Sequence, residues 1–121
     1  MTGVQTCALP IFALQGFSAE STAAFRRDYR SLVEHIRRLN GPDTAIVCTL
    51  GSMDYYLWDE ILSIVGEYVA ESGDERIFCR KLGKLNHLSE GFGSDMHPSA
   101  ITHQRMGREL AVILAEIAAK L

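Results

Sequence analysis

The sequence predicts an α/β fold, a parallel sheet with helices on its faces, in the order helix, strand, helix, strand, loop, helix. Two observations lead there. Apolar residues recur at helical spacing in three long segments, and two short strand-like runs lie between those segments. The first run, "TAIVCTL", is also continuously apolar and rich in β-branched residues, as strands covered on both faces are. Parallel neighbours need crossover connections, so the alternation and the burial point to one architecture.

Each element has its own local cause. From Ser18, the positions Phe25, Tyr29, Leu32, Val33, Ile36 and Leu39 define an amphipathic helix. Arg26, Arg27, Arg30, Glu34, Arg37 and Arg38 lie mostly on its other side, most simply a solvated face. Asn40-Gly41-Pro42 stops it, because glycine accepts a left-handed cap and proline cannot continue the ladder. Thr44 to Leu50 reads as the buried strand. After Gly51, a second stripe runs through Trp58, Ile61, Leu62, Val65, Tyr68 and Val69, with Asp54 a candidate N-cap and Gly73 a stop. Arg76 to Arg80 is the second strand. Residues 81–96 hold three glycines and no sustained period, which reads as a long loop. Met106, Leu110, Ile113, Leu114, Ile117 and Leu121 define the closing helix, with Pro98 suited to its first turn.

Composition narrows the function classes. With 121 residues, 47% hydrophobic and 22% charged, the chain has the balance of one globular domain with a real core. A net charge of −3 argues against nucleic acid as the main partner. The longest uncharged run, at the N-terminus, contains Gln5, Thr6, Pro10 and Gln15 and lacks a basic flank, so neither a membrane span nor a signal peptide is a good reading. The compartment stays open. Cys7, Cys48 and Cys79 have no metal-type or redox-type spacing, and Cys48 and Cys79 read as small buried hydrophobes. No cofactor is implied.

The opening "MTGVQTCALPIF" has no period, charge or turn logic. Thr2 to Ile11 resembles the conceptual translation of a common sequencing adapter. Residues 1–12 are therefore set apart from the fold, and natural sequence is expected from about Phe12 or Ala13, giving a domain unit of 13–121.

Ligands of open parallel sheets bind beyond the carboxyl ends of the strands, so residues 15–18, residues 51–56 and the late loop are where chemistry is expected. That loop carries "GSDMHP", with Asp95 and His97 just before the last helix. Asp95, His97 and His103 could be considered for zinc, but H-x5-H across a helix start is not a helical ligand spacing, and no metal site is assigned. His103 falls on the stripe of the last helix and reads as a packing residue; His87 reads as solvated. Ser52 reads as rim, and Ser89, Ser94 and Ser99 as turn and cap residues.

"GSDMHPSAITHQRMGREL" resembles the last conserved block of the SGNH or GDSL hydrolases. "YRSLVEHIRRL", "AIVCTLGSM" and "GDERIFCRKL" fall in the order of that family's last two strands and the preceding helix. The D-x-H-P-S stretch is most similar to the second family of carbohydrate esterases. The resemblance implies a truncated three-layer α/β/α fold of flavodoxin-like type, with residues 13–121 its C-terminal portion. It further implies a serine nucleophile in a Gly-Asp-Ser motif, a glycine and an asparagine in an oxyanion hole, and His97 as base. The expected activity is removal of O-acetyl or similar acyl groups from an acylated carbohydrate. No Gly-Asp-Ser occurs in this chain, and "FALQGFS" lacks the family's Asn-Asp pair, so the chain is expected to be inactive alone. Asp95 or a backbone carbonyl would orient His97, and Tyr55 and Tyr56 are candidate substrate contacts. Lost strands would expose a sheet edge and favour self-association, unless residues 11–14 pair there instead. The other reading is a non-catalytic binding module of flavodoxin-like topology.

Overall fold

The computed structural model describes residues 18–121. The adapter-like opening, the suggested pairing of residues 11–14 and the oxyanion-block position at residues 12–17 lie outside the described residues. Helix α1 spans Ala19–Asn40. The Ser18 side chain accepts the Ser21 N–H at 3.0 Å, a cap that contributes about 1 kcal/mol. Gly41 ends the helix at φ 81°, where a side chain would be strained.

Strand β1 (Ile46–Leu50), helix α2 (Trp58–Ser72) and strand β2 (Ile77–Lys81) form a βαβ unit. The strands are parallel, in register from Ile46 opposite Ile77 to Leu50 opposite Lys81. An α/β arrangement on a parallel sheet is thus the observed class. Alternate residues of both strands enter one core with the helices: Ile46, Cys48 and Ile77 pack with Val33, Ile61, Val65 and Tyr68. Phe25, Tyr29 and Ile36 close its α1 side. β1 is not buried on both faces as predicted, because Thr49 is exposed and Val47 only half-buried. The α2 stripe runs Ile61, Ile64, Val65, Tyr68, and Leu62 points outward. One residue of helix turns the side chain by roughly 100°, so Ile61 and Leu62 cannot share the seam.

The arginine face of α1 is only partly solvated. Arg26 bonds Glu60 and Glu67, and Arg30 bonds Glu34 and Glu71. Positions 26 and 30 flank the apolar stripe and meet an acidic flank of α2. Such exposed pairs contribute little each, about 0–1 kcal/mol. Arg37 differs: it reaches Asp74 and the carbonyls of Gly41, Thr44 and Arg76. It therefore ties together the end of α1 and the starts of both strands. An open hollow of about 400 Å³ lined by Arg37, Pro42, Tyr68 and Asp74 lies at this amino end of the sheet.

Beyond β2, residues 82–99 are not one featureless loop. They contain a short helix α3 (His87–Glu90) and a 3-10 turn (Ser94–Met96). Helix α4 spans Ala100–Ala118 with Ser99 as N-cap, so Pro98 precedes the cap instead of occupying the first turn. Ile117 is buried on α4, whereas His103, predicted to pack inside, is exposed. No described helix is long and apolar enough to cross a membrane.

Candidate active site

The segment after β1 and the segment after β2 stay side by side beyond the strands. Leu50 O accepts the Leu82 N–H at 3.0 Å, and Ser52 O accepts the Leu85 N–H at 2.8 Å. The carboxyl edge of the sheet is therefore extended by loop backbone. Ser52 is 1% exposed, and its Oγ has no hydrogen-bond partner among the described residues. Its hydroxyl is enclosed, unlike the rim position predicted for it.

Residues 91–98 make a narrow excursion that presents His97. Phe92 and Pro98 form an antiparallel bridge, and the Gly93 N–H donates to His97 O at 2.7 Å. A Cβ on Gly93 would stand 2.9 Å from Pro98 O, so only glycine allows the two arms to come this close. At the tip, Asp95 (φ 55°) and Met96 (φ 59°) are both left-handed. For non-glycine residues this costs about 1–2 kcal/mol each. The turn brings the His97 N–H to Ser94 O at 3.1 Å. The ring returns to the same atom: His97 Nδ1 lies 3.1 Å from Ser94 O. A carbonyl can only accept, so Nδ1 carries a proton, and in the neutral ring the lone pair is on Nε2. His97 is half-buried, with Nε2 free of any protein hydrogen bond among the described residues.

Asp95 is exposed and makes no hydrogen bond to His97; the Ser94 carbonyl occupies the orienting position. In an extended segment the side chains of Asp95 and His97 would point alike; the left-handed pair at Asp95 and Met96 removes that alternation. The tyrosines take different positions. Tyr55 donates its hydroxyl to Leu82 O at 2.5 Å, and Lys81 Nζ lies 4.4 Å from its ring centroid, which leaves that ring largely engaged. Tyr56 is 63% exposed. Its N–H is held by Asp54 in a local turn at 2.9 Å, a different job from capping α2.

Sequence reading passed over a polar cluster at the neck of the His97 loop. Arg105 bonds both carboxylate oxygens of Glu90 and reaches Glu109 at 2.6 Å and the carbonyls of Gly83 and Lys84. Thr102, fully buried, donates to Glu90 at 2.9 Å, and the Asn86 N–H also points there. Hydrogen bonding from Arg105, then from Thr102 and Asn86, holds the Glu90 carboxyl at about 2 against burial. Ser99 Oγ donates to Glu90 O at 2.7 Å, joining the two ends of the excursion. Only the Arg105–Glu109 spacing of four residues left a trace in the sequence. Among the described residues, no group of three His, Cys, Asp or Glu side chains is placed to hold a metal ion.

No family model matches the chain. It is 37% identical over 100 residues to the cellulase/esterase CelE of Acetivibrio thermocellus, covering 77% of this chain and 11% of that protein. A family two carbohydrate esterase from Clostridium thermocellum, solved in complex with cellohexaose, matches with TM-score 0.72 and 28% identity. That match covers 83% of this chain and 31% of the other. The acetyl xylan esterase Est2A of the rumen bacterium Butyrivibrio proteoclasticus shares the fold at TM-score 0.76 with 24% identity, covering 84% of this chain and 26% of that one. The chain thus spans 26% and 31% of the two solved relatives' lengths and about a ninth of the curated one. In sequence and in fold, this chain is similar to a part of the family two carbohydrate esterases.

Proposed function

We propose that this chain is the C-terminal part of a carbohydrate esterase and that His97 is its general base. The observation that carries the reading is the bond between His97 Nδ1 and Ser94 O, which leaves Nε2 able to accept a proton. In the reaction, a serine hydroxyl from a part of the protein outside the described residues attacks the carbonyl carbon of an acetyl ester on a sugar. His97 Nε2 takes the serine proton as the new C–O bond forms, then returns it to the departing sugar oxygen. Water repeats the sequence and releases acetate. Protonation at Nε2 leaves an imidazolium whose Nδ1–H still points at the Ser94 carbonyl dipole, so the charge that develops in the transition state meets a fixed acceptor.

The carbohydrate part of the proposal draws on the relatives, one an acetyl xylan esterase and one solved with cellohexaose. Tyr56, exposed at the carboxyl edge of the sheet, is the aromatic best placed to meet a sugar; Tyr55 supports the edge. Asp95 lies outside the proton path.

The test is made in the full-length protein that carries this sequence, with 4-nitrophenyl acetate and acetylated xylan as substrates. His97→Ala is expected to lower kcat by ~10³-fold or more, and Asp95→Ala to change it by less than about three-fold. Undiminished turnover in His97→Ala would end the proposal.

A further inference from the structure

His97 sits on a loop with few apolar anchors. Phe92 and Met96 are exposed, and the tip contains two left-handed residues that cost energy to hold. Within the excursion the Phe92–Pro98 bridge and the Gly93 N–H bond to His97 O join the two arms, but their placement against the rest of the fold must come from contacts outside it. The neck bonds answer to that need: Ser99 Oγ spans to Glu90 O, and the Glu90 side chain, 11% exposed, is fixed by Arg105 and Thr102. Arg105 and Glu109 in turn hold Gly83 and Lys84, where the chain leaves β2. Both arms are therefore referred to one rigid turn of α4.

We propose that Glu90, held by Arg105 and Thr102, is a positioning residue for His97, fixing the neck of its loop so that Nδ1 stays on Ser94 O. This rests on the assignment of His97 as base. Glu90 touches no substrate and moves no proton. Its effect is on the fraction of time in which Nε2 faces the reacting hydroxyl, so it enters kcat and leaves substrate binding alone. Misplacement of a catalytic group by about 1 Å can cost ~10²-fold.

The experiment uses the full-length protein with 4-nitrophenyl acetate. Glu90→Gln keeps the shape and removes the charge that Arg105 clamps; kcat is expected to fall ~30-fold with KM within about two-fold. Thr102→Val, which loses one donor and keeps the volume, is expected to lower kcat ~5-fold in the same manner. The imidazole ¹⁵N shifts of His97 supply a readout that fold stability alone would not move: a single Nδ1–H tautomer in the wild type, and a mixture in both variants. Should Glu90→Gln fail to fold, Thr102→Val decides. Wild-type kcat and an unchanged tautomer in a folded variant would overturn the proposal while leaving His97 as base. Full activity in His97→Ala would remove the assignment beneath it.

Discussion

The two ends of the sheet are each held by an arginine on a carboxylate, and they serve different structures. At the amino end, Arg37 and Asp74 (14% and 11% exposed) join α1, both strand starts and, through the Tyr68 hydroxyl, α2. Of the partners there, Tyr68 belongs to the apolar core around Val33 and Ile46, and Arg76 directly precedes its member Ile77. At the carboxyl end, Arg105 and Glu90 hold irregular backbone in which Leu88, Phe92 and Met96 face outward. Where hydrophobic burial already specifies the arrangement, the ion pair adds stability. Where burial is absent, the ion pair specifies the arrangement itself. A geometry that packing does not favour is therefore maintained by polar contacts.

That contrast can be broken most severely at the amino end. Arg37→Met would leave Asp74 half-satisfied and take a donor from the Gly41, Thr44 and Arg76 carbonyls, the last of which keeps the Ile46 N–H, and an unfolding free energy lower by about 3 kcal/mol is expected, measured by chemical denaturation. Under native conditions kcat of the full-length protein should stay within about two-fold, because nothing in the His97 loop touches this clamp. A large loss of kcat without loss of stability would show that the two ends are coupled.

Acid sharpens the same comparison. Burial works to raise the Asp74 carboxyl, and the Arg76 N–H, the Arg37 guanidinium and the Tyr68 hydroxyl outweigh it, so it lies below its ordinary value. Glu90 is held at about 2, against an ordinary 4.5. A depressed carboxylate contributes stability that is complete above its unfolded value and fades as pH falls through the folded one. The denaturation midpoint should accordingly drop between about pH 4.5 and about pH 2, with a shallower slope in Glu90→Gln.

Smaller effects probe the carboxyl end alone. Gly93→Ala pushes a methyl against Pro98 O and His97 O, and kcat is expected to fall ~10-fold with little change in melting temperature. Ser52→Ala removes a buried hydroxyl that makes no hydrogen bond among the described residues, so stability should be unchanged or slightly higher and turnover intact. Abolished turnover there would instead identify Ser52 as the nucleophile.

Much of the fold was legible. The α1 stripe through Phe25, Tyr29, Val33 and Ile36, the Gly41 and Gly73 stops and the two strands follow from periodicity and caps, which are local, whereas Leu32 and Leu39, predicted on that stripe, are exposed. The strand ends were not. Thr44 is taken from β1 because its carbonyl serves Arg37 and its hydroxyl serves Asn40, and Lys81 is added to β2 by its register partner Leu50. α3 has four residues, too few to show a period, and depends on the Asn86 side chain that caps it. His97 could be singled out from its neighbours in the chain. Its orienting atom could not, since the left-handed pair at Asp95 and Met96 leaves no signature in residue type at Met96. Glu90 and Arg105 stand fifteen positions apart, and pairing across that distance is invisible without the turn between them.

The acceptor for the imidazole belongs to the main chain, and this places it beyond the reach of ordinary substitution. Exchanging Ser94 for any other residue retains that oxygen, so a mutational scan of this loop would report no third catalytic partner even where one operates. Only chemistry on the peptide link itself, an amide replaced by an ester between positions 94 and 95, would weaken the acceptor while sparing every side chain.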